Sequence, residues 1–118
     1  MIDSEQNLVR AALDYLLVSG IPAWRNNTGA RKWAYTNAAG QLKNQFLRWG
    51  YKGSGDIFAV LPPHGRFVSI ECKRPGKEAS GDQTIFMDAV NRVGGCAFVA
   101  HTLDEVIKGI EEAKARKK

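Results

Sequence analysis

Two consecutive segments, residues 56–61 and 66–73, constrain the fold most, because both are rich in β-branched and aromatic side chains. The tetrapeptide PPHG at 62–65 is a typical turn sequence, so the two segments are predicted to form an antiparallel pair. Pairing the residues that flank this turn sets a register in which Asp56 lies opposite Glu71. Directly opposed residues share one face of a sheet, with Cβ atoms about 5 Å apart. The sequence therefore predicts two neighbouring carboxylates on one sheet face.

Apolar residues recur at helical spacing in three other segments. Each segment starts at a residue that can cap a helix, and the second one stops at a pair of glycines. The predicted helices are 4–19, with Asp3 or Ser4 as N-cap, a second helix capped by Asp82 and ended by Gly94-Gly95, and 103–116, with Thr102 as N-cap.

The remaining segments complete a single α/β domain over residues 1–118. Strands are predicted at 21–26 and 96–100, together with a basic hairpin whose arms, 33–36 and 45–49, are closed by residues 37–40. The order is helix, strand, hairpin, two strands, helix, strand, helix. It predicts a mixed β-sheet flanked by helices, with a right-handed crossover through the second helix.

Charge is distributed unevenly along the chain. The formal charge is +5, from 17 Lys and Arg against 12 Asp and Glu, yet residues 15–55 contain no acidic residue. Basic residues interleaved with aromatic rings are typical of nucleic-acid binding. Alternatively, the rings pack in the core and the charges form a solvated surface. The candidate DNA-binding residues are Arg25, Arg31, Lys32, Lys43, Arg48 and Lys52, and the rings are Trp24, Trp33, Tyr35, Phe46, Trp49 and Tyr51.

Several protein classes are disfavoured by composition. The first five residues include two acids, Asp3 and Glu5, where a secretory signal is basic, and no apolar run approaches the ~20 residues that span a bilayer. We therefore expect a cytoplasmic or nuclear protein with no membrane partner, and of the two we favour the cytoplasm. Cys72 and Cys96 have no CxxC partner and no histidine at metal spacing, so we expect reduced cysteines within strands.

Three charged residues on otherwise apolar strands form the candidate catalytic group. Glu71 and Lys73 are two apart and share a strand face, which Asp56 joins through the predicted register. Two buried carboxylates repel unless a cation lies between them, and oxygen ligands favour Mg²⁺, with the Cys72 carbonyl as a further ligand. Lys73 can balance charge on a phosphoryl group or orient the attacking water. A surface ion pair is the alternative, but charge on apolar strands is costly. The arrangement predicts phosphodiester hydrolysis.

Two further residues are weaker candidates for the same site. Glu5 lies at the start of the first helix and can reach the metal, although an acid in a first turn also complements the helix dipole. Gln83, at the start of the second helix, follows Lys73 by ten residues across a glycine-bearing loop. It can return to the site, although taken alone it is an ordinary surface residue.

The chain resembles the PD-(D/E)XK nuclease superfamily in four features that follow one another along the sequence. These are Glu5 in the first helix, Gly55-Asp56, Glu71-Cys72-Lys73, and Gln83 in the next helix. Within it, the virus-type replication-repair nuclease (VRR-NUC) family is similar over nearly the whole chain. The resemblance rests on RNNTG at 25–29, FLRWG at 46–50, GSGDI at 53–57, GRF at 65–67, IECK at 70–73 and GG at 94–95. It implies a restriction-endonuclease-like core.

The resemblance also implies how the site works. Asp56, Glu71 and the Cys72 carbonyl would bind Mg²⁺ or Mn²⁺, with a contribution from Glu5, while Lys73 serves the attacking water and Gln83 supports the site. Stand-alone members resemble viral or bacterial homodimers that cut branched DNA, such as Holliday junctions or flaps, and we expect 5′-phosphate ends. The alternative is a nucleic-acid-binding module with a vestigial, inactive site. No two adjacent predicted helices are joined by a short turn, which disfavours a helix-turn-helix protein.

Overall fold

The computed structural model describes residues 4–116, except for the side chains of Arg31 and Arg48. The order of elements is the one predicted from the sequence. The elements are α1 (Ser4–Val18), β1 (Ala23–Arg25), β2 (Gly29–Thr36), β3 (Leu42–Trp49), β4 (Ile57–Leu61), β5 (Arg66–Cys72), α2 (Gly81–Arg92), β6 (Cys96–Ala100) and α3 (Leu103–Ala115).

Four strands form a mixed central sheet in the order β1-β4-β5-β6. Strand β4 runs antiparallel to β1 and to β5, and β6 runs parallel to β5. The parallel pair confirms the predicted connection through α2. Leu61 pairs with Arg66 and Ile57 with Ile70, which is the register expected from the four-residue turn. The predicted mixed sheet flanked by helices is therefore confirmed.

The two faces of the sheet are covered by different helices. Residues Ile57, Ala59 and Leu61 of β4 are buried in the main core, because every second strand residue points the same way. Alternate residues of β5 and two residues of β6 extend this core, and helices α1 and α3 cover it with apolar stripes that recur at helical spacing. Helix α2 lies on the opposite face, where Phe86 stacks on Phe58 with ring centroids 6.4 Å apart.

Strands β2 and β3 form a separate antiparallel hairpin. Its eight-residue arms are longer than predicted, and the turn is held by Asn37 Oδ1, which accepts hydrogen bonds from the amides of Ala39 and Gln41. The radius of gyration is 17.4 Å, whereas a compact chain of this length has about 13–14 Å. Among residues 4–116, no element outside the hairpin packs extensively against either arm. The hairpin therefore projects from the domain.

Element ends differ from the sequence predictions in small ways. The cap of α2 is Ser80 and not Asp82, because the Ser80 side chain accepts from the Gln83 amide. Strand β1 is shorter than predicted, and Asp3, one proposed cap of α1, lies outside the described residues. Cys72 and Cys96 are buried and free, as expected. In the described part of the chain, no helix is long and apolar enough to cross a membrane.

Candidate active site

The β4–β5 pair brings Asp56 and Glu71 together at one end of the sheet. The register shifts just before β4, since the Asp56 amide donates to the Ile70 carbonyl over 2.8 Å although Ile57 already pairs with Ile70, as at a β-bulge. Asp56 is therefore displaced by one residue from the predicted position opposite Glu71, yet its charge raises the pKa of Glu71, so its carboxylate lies close to Glu71. Lys73 follows two residues later, and its Nζ is 3.8 Å from Glu71 Oε1. The structure therefore groups the three charged residues predicted from the sequence.

The Asp56 carboxylate is anchored to the backbone of β5. Its Oδ2 accepts a hydrogen bond of 2.7 Å from the Cys72 amide. Burial raises the pKa of Asp56, and this effect outweighs that hydrogen bond, which favours the charged form. The nearby charge of Glu5 raises this pKa further, while Lys73 and Arg25 lower it. Asp56 is thus fixed in position, with its negative charge only partly compensated.

Glu71 is the most strongly perturbed carboxylate of the group. It is only 6% exposed, and burial, followed by the charge of Asp56, raises its pKa to about 7. Lys73 opposes the shift without cancelling it. A carboxylate that is half protonated near neutral pH marks a place where additional positive charge is favourable.

Gln83 reaches this carboxylate from α2. Its Nε2 donates a 2.6 Å hydrogen bond to Glu71 Oε1, while its Oε1 accepts from the Ser80 amide over 2.8 Å. The second bond belongs to a capping box at the start of the helix, in which Ser80 Oγ accepts from the Gln83 amide. Both ends of the Gln83 side chain are therefore engaged, and the helix cap orients its amide toward Glu71.

Glu5 lies beside the same group. Its Oε2 accepts a 3.2 Å hydrogen bond from the backbone amide of Arg74, directly after Lys73. The charge of Glu5 raises the pKa of both Asp56 and Glu71, so it is close enough to act on them electrostatically. Glu5 therefore lies at the rim of the site, where its carboxylate accepts a hydrogen bond from a backbone amide.

An amide and a hydroxyl that the sequence analysis did not assign hold the loop before Asp56. Asn26 Nδ2 donates to Ser54 Oγ over 2.7 Å and to the Gly55 carbonyl over 2.8 Å. The fully buried Ser69 accepts from the Gly55 amide through its Oγ. The only available signal was the position of Asn26 within the RNNTG motif. These bonds fix the approach of the chain to Asp56.

Gly55 is expected to tolerate no side chain, because it lies against β5. A Cβ atom there would meet Ser69 Oγ and come within 2.8 Å of the Ile70 carbonyl oxygen. We expect Gly55→Ala to destabilise the fold by about 1–3 kcal/mol, as overpacking does, and to displace Asp56. Urea unfolding measures the loss. The control is Gly81→Ala, where a Cβ meets nothing within 4 Å; equal stability of the two variants would contradict this account.

The donor set can be compared with what Mg²⁺ or Mn²⁺ requires. In residues 4–116, no three His, Cys, Asp or Glu side chains converge as a ready-made metal site. Mg²⁺, however, is commonly held by one or two carboxylates, with waters and phosphate oxygens as its other ligands. The partly buried Asp56 and Glu71, each with a raised pKa, fit such an ion. The Cys72 carbonyl as a further ligand stays a prediction.

The predicted DNA-binding residues fall into two groups. Arg25 and Lys52 lie near the site: Arg25 lowers the pKa of Asp56, and Lys52 Nζ is 3.3 Å from Asp82 Oδ2 in the first turn of α2. Lys32 and Lys43 are exposed on the hairpin. Arg31 and Arg48 also belong to the hairpin strands, but their side chains are outside the description.

Comparison with protein-family models, with curated proteins and with solved structures finds no significant match to this chain. The family resemblance therefore stays a prediction that rests on the quoted motifs, and the geometry of Asp56, Glu71 and Lys73 stands as an independent observation.

Proposed function

We propose that this protein is a metal-dependent, structure-specific DNA endonuclease that hydrolyses phosphodiester bonds in branched DNA. The observation that carries the proposal is the grouping of Glu71 with Asp56, whose charge raises the pKa of Glu71, and with the Lys73 ammonium, 3.8 Å from Glu71. Two carboxylates and a lysine, largely shielded from solvent, form a group that can handle an attacking water and a phosphate. The absence of acidic residues from positions 15–55 supports DNA as the substrate.

Each residue of the site has a distinct part in this reaction. Lys73 orients the attacking water, and its charge offsets the negative charge that develops on the phosphoryl oxygens. The water loses a proton to solvent as its oxygen bonds to phosphorus, the bond from phosphorus to O3′ breaks, and O3′ takes up a proton from solvent, which leaves a 5′-phosphate and a 3′-hydroxyl. Gln83 restrains the Glu71 carboxylate through its 2.6 Å hydrogen bond, and the Cys72 amide restrains Asp56.

Asp56 and Glu71 would hold the metal ion, with the Cys72 carbonyl and Glu5 as further candidates. A bound Mg²⁺ or Mn²⁺ supplies positive charge that keeps both carboxylates ionised and offsets charge on the scissile phosphate. The same two carboxylates, without that charge, have raised pKa values. Activity is therefore expected to depend on a divalent cation.

Cleavage of labelled branched and linear DNA, with Mg²⁺, with Mn²⁺ and with EDTA, tests this proposal. We expect metal-dependent cutting that prefers branched DNA and is abolished in Glu71→Ala. Glu112→Ala, an exposed acid on α3, is the matched control and should cut at the wild-type rate. Cutting that survives EDTA, or that persists at full rate in Glu71→Ala, would refute the proposal.

A nucleic-acid-binding module with an inactive site is the second candidate. It is favoured by the lack, within residues 4–116, of a ready-made group of three or more potential metal-binding side chains. It predicts DNA binding with no metal-dependent cutting, so the same assay separates the two functions. Asp56, Glu71 and Lys73 are all present and grouped, which favours the enzyme.

We further propose a homodimer, since two sites related by a two-fold axis match the two equivalent strands of a symmetric branched junction. The sequence offers the hairpin or the outer faces of α1 and α3 as contacts. Exposed Leu17 and Val18 at the end of α1 provide apolar surface for the second choice. Light scattering at micromolar concentration is expected to give twice 13.0 kDa, and a single-chain mass throughout would exclude the dimer.

A further inference from the structure

The hairpin has two chemically different faces. Opposed residues of an antiparallel pair share a face, and Trp33 pairs with Gln45, Tyr35 with Lys43, and Gly29 with Trp49. The pairs in between, such as Lys32 with Phe46, point the other way. One face therefore collects most of the large apolar side chains of the hairpin. This aromatic face consists of Trp33, Tyr35, Leu47 and Trp49.

The rings of the aromatic face are open to solvent. Tyr35 is 43% exposed, Leu47 48% and Trp49 41%, and Trp33 is half-buried. Trp49 lies across the hairpin over Gly29, where a Cβ atom would collide with its ring. Within the described residues, no other element packs extensively on this face. Three aromatic rings thus line one side of a projecting ribbon about 27 Å long.

The charge of the hairpin indicates what kind of molecule binds to the aromatic face. The hairpin contains Arg31, Lys32, Lys43 and Arg48 and no acidic residue. Lys43 lies on the aromatic face and Lys32 on the opposite one, so a second copy docked by two-fold symmetry would bring two basic ribbons together with no acid in either hairpin to compensate their charge. A polyanion is complementary to them. Among polyanions, one with unpaired bases can also use the rings, because bases stack on aromatic side chains presented by a β-sheet.

We infer that the aromatic face of the hairpin stacks the unpaired bases of a DNA strand. The inference rests on the proposed function in taking DNA as the substrate, and it gives branched DNA with a single-stranded segment, such as a flap or a splayed arm, an additional contact. A four-way junction with fully paired arms offers these rings no exposed base. Double-stranded arms instead meet the basic side chains through their phosphates.

The position of the hairpin relative to the site fits this assignment. Strand β3 ends at Trp49, seven residues before Asp56, and β2 begins three residues after Asn26, whose amide binds Ser54 and Gly55. Both arms therefore start beside the loop that leads to Asp56. A strand held on the aromatic face would enter the site from the base of the hairpin, so that cutting is expected close to the junction of single and double strand.

Fluorescence anisotropy in EDTA, with labelled oligo(dT) and a duplex of equal length, tests the inference without any cleavage. Tyr35→Ala should weaken oligo(dT) binding by between about 5-fold and about 150-fold, the range found for removal of one stacking ring. Duplex binding should change less than about twofold. Tyr35→Phe should retain wild-type affinity, and Phe46→Ala, on the opposite face, should weaken oligo(dT) binding less than Tyr35→Ala does.

Equal loss of oligo(dT) and duplex affinity in Tyr35→Ala, or no loss of either, would overturn the inference. Conversion of a dimer into a monomer by Tyr35→Ala, seen by light scattering, would overturn it as well, by making this face a contact between two copies. The proposed function is tested separately. It fails if the wild-type protein shows no metal-dependent cutting, whatever the outcome with oligo(dT).

Discussion

Replacing Lys73 with alanine is expected to lower the rate of metal-dependent DNA cleavage by about a hundredfold to a thousandfold. Removal of one preorganised group that stabilises transition-state charge has effects of this size. The Lys73 side chain is only 18% exposed and lies 3.8 Å from Glu71 Oε1, so its charge acts where water screens it little. Single-turnover cleavage of a flap substrate at saturating Mg²⁺ measures the change.

The matched control is Lys77→Ala, because Lys77 is exposed on the loop that follows Lys73. The backbone carbonyl of Lys77, which contacts His101 Nε2, is unaffected by that substitution. DNA affinity in EDTA should stay within about threefold for both variants, since each loses a single charge. A Lys73→Ala rate within tenfold of wild type would show that Lys73 does not serve the reaction.

The site geometry was predictable because it depends on local rules. A four-residue turn between two β-rich segments fixes their register, and that register brings Asp56 close to Glu71, although a one-residue shift at Asp56 pairs its amide with Ile70. The positions of α1 and α3 were equally predictable, since each helix buries one apolar face whose residues recur at helical spacing. The cap of α2 was also readable: Ser80 and Gln83 have the spacing of a capping box, which the choice of Asp82 overlooked.

The hairpin and the Asn26 contacts were not predictable in the same way. Neither face of the hairpin is buried, so its arms lack the strict alternation that reveals strand ends, and their length was underestimated. The hydrogen bonds from Asn26 to Ser54 and Gly55 join residues 28 and 29 positions apart. Such contacts depend on how β1 pairs with β4, which no local pattern specifies.

Glu71→Gln is expected to stabilise the metal-free protein at pH 8 by up to about 3 kcal/mol and to change its stability little at pH 4.5. The pKa of Glu71 is raised from 4.5 to about 7 by burial and by the charge of Asp56. Between these two values the folded protein binds more protons than the unfolded chain, so its free energy of unfolding falls as pH rises. Below pH 4.5 the raised pKa of Glu71 makes its full contribution to the free energy of unfolding, and this contribution is lost as the pH rises through about 7.

Urea unfolding in EDTA at intervals from pH 4.5 to 8.5 measures this difference, and subtraction of the wild-type curve cancels the titrating groups that do not interact with Glu71. The amide oxygen introduced by Glu71→Gln can still accept from Gln83 Nε2, so the 2.6 Å contact need not be lost. Glu112→Gln, an exposed change on α3, is the control and should give a flat difference. Added Mg²⁺ should stabilise the wild type at pH 8 more than Glu71→Gln, because only the wild type keeps both carboxylates. A difference curve for Glu71→Gln that is flat from pH 4.5 to 8.5 would show that Glu71 titrates normally and that Asp56 and Glu71 do not compete for one charge.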